Sequence, residues 1–490
     1  MTIAEAPIPV DRPVWLSFRS PVRLARTVAA YFAAAILLAV PCVWQPHIQG
    51  SDLPSHLYSA WLANRVAAGA LQGVYVVPQH TNVLFDLLLS WLLKSCSVVL
   101  TERIAVVSAV QIFFWGCFAL VSAAGRRPGW GRAPLLALLA YGAVFRMGFF
   151  NFYISVGICC GAVALVWWDH LRARWLALVL LPVAWIAHFL PCLWALAVIG
   201  YILAARWMKP SHRWRLLAAG LIGIGGLATF LATRVPSVWA PGLRVESFFG
   251  ANQVLTFGVK YYIVAVGLLC CFILLLVRRF ELAERRPPHD IVLHLWLLMA
   301  VASVLLPDAI WLPLYTGGLT YITLRLSLLS GILLCAAVAT VPLKAFERIG
   351  QIVLMAVFFS FSYADEGALN VVEQKVARTV AALPPGSRVI SMLADSRLYV
   401  PALQHVVDRA CIGRCFDFAD YEPSTGQFRL RAQPGNSFVI SDYAEIGRIE
   451  HEQLVFKGAG VAVYRLFPCQ DGREICEDQL SPGRNYRGAR

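Results

Sequence analysis

The chain has 490 residues, 59% of them hydrophobic and 14% charged, and a net charge of +14. Soluble globular proteins carry about 25% charged residues, so the composition excludes that class and points to a polytopic α-helical membrane protein. The excess Lys and Arg lie in short clusters between apolar runs, which is the pattern of cytoplasmic loops against anionic headgroups, not of a nucleic-acid surface.

In chain order, Arg12, Arg19, Arg23 and Arg26 precede the first apolar run and no small-residue cleavage site follows. The first span, 27–46, is therefore expected to be retained, with the N-terminus cytoplasmic. A long outer loop, 47–102, comes next. Its apolar stretches fall short of the roughly 20 residues a span needs, so 54–71 and 82–97 read as amphipathic helices on the membrane surface. Further spans are expected at 104–124, 133–150 and 152–168. Two more share 176–205, turning near His188 and Pro191, and then come 216–233, 258–277, 291–306, 324–341 and 349–364. This register puts every basic cluster on the cytoplasmic side: Arg126, Arg127 and Arg132; Asp169, His170, Arg172 and Arg174; Arg206, Lys209, Arg213 and Arg215; Arg278, Arg279, Arg285 and Arg286; Lys344 and Arg348.

About eleven spans place the chain after residue 364 on the outer face. The expected division is thus a transmembrane domain, 1–364, and a small extracytoplasmic α/β domain, 365–490. Candidate strands in the latter are 388–393, 438–440 and 461–466. Its four cysteines, Cys411, Cys415, Cys469 and Cys476, fit two disulfides in an oxidising compartment or a zinc site.

The stretch 49–61 holds the leading candidates. Asp52 and His56 are four residues apart, and Pro54 is placed to open a helix that puts both on one face. An acid and an imidazole there can serve as general base, metal ligand or orienting pair. The plainer alternative is a helix cap by Asp52 or Ser55. The same outer face gathers Tyr58, His80, Asn82, Asp86, Arg146, Asn151, His188, Asp308 and Arg325. Arg325, at a span start, suits the phosphate of a lipid carrier, or acts as an interfacial anchor. Asp308 is an acid, an arginine partner or a cap. His188 is a site residue or a satisfied polar group at a helix turn, and Tyr58 a site residue or a headgroup-level aromatic. No phosphate-binding Gly-rich loop, Gly-x-Ser-x-Gly elbow or His-Glu-x-x-His helix occurs.

Residues 51–58 (Ser-Asp-Leu-Pro-Ser-His-Leu-Tyr) and 81–86 (Thr-Asn-Val-Leu-Phe-Asp) resemble the first-loop motif and following surface helix of the GT-C membrane glycosyltransferases, a superfamily that includes protein O-mannosyltransferases and the lipid A aminoarabinose transferase. The resemblance implies an inverting transferase on the outer face of the bacterial inner membrane, embedded among membrane lipids. It would take a sugar from a polyprenyl-phosphate or -pyrophosphate donor to a glycan, lipid or protein acceptor. Asp52 would be its general base or the ligand of a divalent cation. The residues expected to contact donor or phosphate are Tyr58, His80, Asn82, Asp86, His188, Asp308 and Arg325. Many members carry a second acid directly after the first, where this chain has Leu53, so His56 is the candidate replacement. Two other classes stay open: a lipid or polysaccharide transporter, and a non-catalytic envelope scaffold.

Overall fold

The computed structural model describes residues 21–168, 171–239, 245–283, 290–311, 318–393, 395, 397–441, 445–446, 448, 453–455, 461–469, 474–481 and 485–487. Arg12, Arg19, Asp169, His170, Arg285 and Arg286 lie outside them.

The chain is mostly helical. Helix α1 (Pro21–Ala39) is followed by α2 (Leu53–Ala67), strand β1 (Val74–Val76) and α3 (Leu84–Leu92). Then come α4 (Val98–Gly125), α5 (Ala133–Ala140), α6 (Ala143–Arg146), α7 (Phe150–Trp167), α8 (Leu171–Ala187) and α9 (Phe189–Trp207). Helix α10 (Arg213–Arg234) leads through β2 (Ser237–Val238) and α11 (Val245–Phe249) to α12 (Tyr262–Ala283) and α13 (Ile291–Leu305). Strand β3 (Ala309–Ile310), α14 (Ile322–Ala337) and α15 (Ala345–Ala382) complete the helical part. Among the described residues seven segments are long and apolar enough to cross a membrane: Leu24–Cys42, Val98–Gly125, Phe150–Trp167, Phe189–Trp207, Pro210–Arg234, Val259–Leu282 and Ala345–Ala382. Trp175–Ala187, Ile291–Leu305 and Ile322–Ala337 are shorter apolar helices.

Two helices depart from the sequence expectation. The stretch 133–150 is not one helix but α5 and α6, broken at Gly142, where the carbonyl of Gln253 packs so close that a Cβ would lie 2.7 Å from it. Helix α2 lacks a wet face along its first half, for Leu53 through Ala60 are all buried. It is held between the apolar bundle and the C-terminal part of the chain.

Within the bundle, α4 and α7 touch backbone to backbone. A Cβ on Gly116 would fall 1.9 Å from the carbonyl oxygen of Gly157, so only this glycine pair permits the contact. The basic clusters meet at one end of the bundle. Arg127 donates to the carbonyls of Ala339, Thr340 and Val341, Arg132 to those of Val338 and Val341, and Arg278 pairs with Glu347. Arg206 caps the carbonyls of Val166 and Trp167. Cations thus sit on the C-terminal ends of α7 and α14, where the helix dipole favours them.

Beyond the bundle, α15 runs unbroken for 38 residues through position 364. The chain then forms a four-stranded sheet in the order β5 (Phe416–Asp417), β4 (Arg388–Ser391), β8 (Val463–Pro468), β9 (Ile475–Gln479), parallel except for the last pair. Strands β4 and β8 fall on two of the expected stretches. Residues 438–440 form no strand, although Ile440 N–H donates to the Phe418 carbonyl at 2.8 Å. Helices α16 (Val406–Cys411) and α17 (Glu422–Thr425) flank the sheet, β6 (Leu430–Ala432) pairs with β1, and β7 (Gln453–Val455) pairs with β10 (Asn485–Arg487). The cysteines join as Cys411–Cys415 and Cys469–Cys476.

The first loop and the C-terminal part are bound to each other. The β1–β6 ladder is one tie. Another is the buried Arg409, which pairs with Glu373 of α15 and Glu102 of α4 and donates to the Ile48 carbonyl at 3.2 Å. A third pair, Arg146 to Glu366 at 2.5 Å, is fully buried and also holds the Gln49 carbonyl at 3.0 Å. Arg146 is therefore a structural residue.

Candidate functional site

Asp52 sits at the N-cap position of α2, and Pro54 lies in the first turn as its fixed φ favours. The carboxylate makes no capping hydrogen bond, so the plain cap reading does not account for it. Its backbone is fixed from outside the helix. Ser51 N–H and Asp52 N–H donate to the carbonyls of Arg146 and Met147 at 2.7 and 3.1 Å. Gly148, with φ +82°, presses against this stretch so closely that a Cβ would meet the Asp52 nitrogen at 2.8 Å. The turn between α6 and α7 thus fixes where the Asp52 side chain emerges.

It emerges into a cavity of about 310 Å³ at the N-terminal ends of α7 and α14, away from the basic end of the bundle. Asp52, His56, Asn82, His188 and Arg325 all line it, so five residues from four separate stretches of sequence converge there. Asn151 joins them. Asn82 takes the left-handed conformation at φ +55°, which Asn tolerates better than most residues. His188 does two things at once: its Nδ1 accepts the Leu190 N–H at 3.1 Å as the N-cap of α9, and its ring forms part of the wall.

Arg325 is 9% exposed and its guanidinium lies 4.3 Å from the centroid of Phe149 and 5.6 Å from that of Phe152. Its Nη1 donates to the Thr320 carbonyl at 3.0 Å, while its buried Nε has no hydrogen-bond partner among the described residues. A buried cation held by aromatic faces and one carbonyl, bordering a cavity, is prepared for an anion.

The other predicted residues lie off the cavity wall. The buried Tyr58 hydroxyl accepts the Asp417 backbone N–H at 3.0 Å, which ties α2 to β5. His80 is exposed. Asp308 accepts the Thr323 hydroxyl beside the start of α14. Asp86 lies behind His56, its Oδ1 2.7 Å from His56 Nδ1 and its Oδ2 accepting from Asn151 Nδ2 at 2.8 Å.

The C-terminal part also contributes Gln404, His405, Tyr421, Thr425, Gln427 and Phe428 to the wall. The sequence reading missed these because it set 365–490 apart as a separate unit. The available signal was the density of acids in 417–422, Asp-Phe-Ala-Asp-Tyr-Glu, in an otherwise ordinary polar stretch. His405 Nε2 is 3.8 Å from Asp52 Oδ1, and His405 Nδ1 is 3.7 Å from Asp408 Oδ2.

The titratable groups here are driven apart. Burial, helped by the nearby His56, pushes the His405 imidazolium down to about 3, so His405 is neutral. Burial also opposes the charge on His56, but Asp86, Glu422 and Asp52 outweigh it and lift the group to about 9. Glu422 is raised by burial to about 7 against the pull of His56. Burial and mutual repulsion raise Asp408 and Asp420 as well. A cationic and a neutral imidazole therefore flank one partly exposed carboxylate, Asp52. No protein-family model, curated protein or solved structure matches the chain.

Proposed function

We propose that this protein is a membrane glycosyltransferase of the GT-C type, moving a sugar from a polyprenyl-phosphate-linked donor to an acceptor. The observation that carries the reading is one cavity, at the end of the apolar helices, faced by both the Asp52 carboxylate and the Arg325 guanidinium. In that reaction an acceptor hydroxyl attacks the anomeric carbon, its proton passes to Asp52, and the carrier phosphate leaves with the bonding electron pair. A base on one side and a fixed cation for the departing phosphate on the other are what such a displacement requires. The aromatic rings of Phe149, Phe152, Tyr421 and Phe428 around the cavity suit the apolar faces of a sugar and the first isoprene units.

The basic end of the bundle, read with the positive-inside rule, supports a cavity on the outer face of a bacterial inner membrane. The two disulfides agree with an oxidising compartment for the C-terminal part. The proposed arrangement has about eleven spans, with an extracytoplasmic C-terminal α/β unit that closes the site from above. The test is transfer from a panel of polyprenyl-phosphate sugars by purified protein in nanodiscs, wild type beside Asp52→Asn. Turnover should fall at least ~100-fold with unchanged melting temperature, the general-base contribution. Equal turnover in the two proteins removes Asp52 from the chemistry.

A further inference from the structure

Behind the cavity wall lies a group of side chains that the transfer reaction does not use. His56 Nδ1 is 2.7 Å from Asp86 Oδ1 and 3.9 Å from Glu422 Oε1, and the three ligand-type atoms lie within 4.8 Å of one another. All three residues are buried, at 7%, 7% and 3% exposure. Glu422 Oε1 makes no hydrogen bond among the described residues although it faces the imidazole. An unpartnered carboxylate oxygen in the interior is costly.

The local charge makes the need sharper. Besides Asp86 and Glu422, the buried acids Asp408, Asp417 and Asp420 crowd the same region, and among the described residues His56, Arg429 and, on Asp408, Arg409 are cations that act on it. The geometry is also prepared from outside. Asn151 Oδ1 accepts the Phe85 N–H at 2.7 Å, which fixes its amide so that Nδ2 holds Asp86 Oδ2. Oδ1 is thereby turned toward His56 and Glu422. Outer hydrogen bonds of this kind orient the ligands of metal sites.

We propose that His56 Nδ1, Asp86 Oδ1 and Glu422 Oε1 bind a divalent transition-metal cation, as three ligands with further positions left to water. Metal–ligand bonds of roughly 2.0–2.2 Å put neighbouring ligand atoms about 3–3.5 Å apart, so shifts of about 1 Å convert the observed cluster into a coordination shell. One imidazole and two carboxylates favour Mn²⁺ or Zn²⁺ over the all-oxygen preference of Ca²⁺ and Mg²⁺. The metal takes the place of the Nδ1 proton of His56. It also joins the first loop, through α2 and α3, to the C-terminal part through α17. Since Asp52 stands one turn before His56, this clamp fixes the wall from which the carboxylate emerges. The site is independent of the transfer reading, because binding is measured without any donor or acceptor.

The experiment uses full-length protein in nanodiscs, stripped with EDTA, gel-filtered and titrated with Mn²⁺ or Zn²⁺. Bound metal is counted by mass spectrometry, and the Mn²⁺ form is examined by pulsed EPR for a directly bonded ¹⁴N. The expected result is one equivalent bound with nitrogen coupling. Glu422→Gln should weaken affinity at least ~100-fold and Asn151→Ala roughly 10–100-fold. Glu422→Gln removes no hydrogen bond at Oε1, so it is the deciding variant. If it does not fold, the nitrogen coupling in the wild type decides alone. Absence of metal from the folded wild type with both ions, Mn²⁺ without nitrogen coupling, or unchanged affinity in Glu422→Gln overturns the proposal.

Discussion

Replacing Arg325 by Gln tests the anion role of the cavity most directly. Among the described residues Arg325 makes no direct ion pair, although the Asp52 and Asp308 carboxylates lie near enough to favour its charge, so its removal breaks no salt bridge. The fold loses the stacking on Phe149, about 2 kcal/mol for a desolvated cation–π contact, and is relieved of a buried charge of comparable cost. Net stability should therefore stay within about 2 kcal/mol of wild type. Donor binding should respond far more strongly. Charge-assisted hydrogen bonds to phosphate contribute about 1.5–3 kcal/mol, which at 1.4 kcal/mol per decade is roughly 10–150-fold in affinity. Arg325→Lys should fall between the two, keeping the charge but losing the planar fork and the stacking. The assay is equilibrium binding of a labelled polyprenyl phosphate in nanodiscs, with melting temperature read in parallel. An affinity for Arg325→Gln within twofold of wild type refutes the phosphate role.

Two further substitutions separate architecture from site. Tyr58→Phe removes the acceptor of the buried Asp417 N–H, and should cost about 1–3 kcal/mol in denaturant unfolding while leaving carrier affinity unchanged. A loss of affinity without loss of stability would instead put Tyr58 in the binding machinery. Arg409→Ala leaves Glu102 and Glu373 buried without their cation and should cost about 3–5 kcal/mol. Adding Glu102→Gln and Glu373→Gln should recover most of that loss. If the triple variant is no more stable than the single one, the pairing energy assigned to this network is wrong.

Much of the helical frame was legible because a membrane span is a local property. Enough consecutive apolar residues favour a helix, and apart from 133–150 each expected span overlaps one apolar helix, although Trp175–Ala187, Ile291–Leu305 and Ile322–Ala337 are shorter than a span and 349–364 is only part of α15. The exception failed for a non-local reason: Gly142 yields to the backbone at Gln253, 111 positions away, which no periodicity reports. Part of the site was legible too. Asp52 and His56 share a helical turn, and buried charges at span ends such as Arg325 are conspicuous in apolar sequence.

The sequence by itself determined the class of protein, the apolar helices, and the polar residues available at their ends. Only the tertiary structure decided which of those residues share a cavity. Asp52, Arg325 and His405 meet because α2 is buried between the bundle and the C-terminal part, held there by the Arg409 network and the β1–β6 ladder. Tertiary packing also turned His80 out to solvent, gave Tyr58 to the Asp417 backbone, and brought Glu422 to His56 across 366 positions of chain. Each of these is a pairing between distant residues. It is settled by which partner satisfies a buried charge or hydrogen bond, and that depends on every other element packed around it.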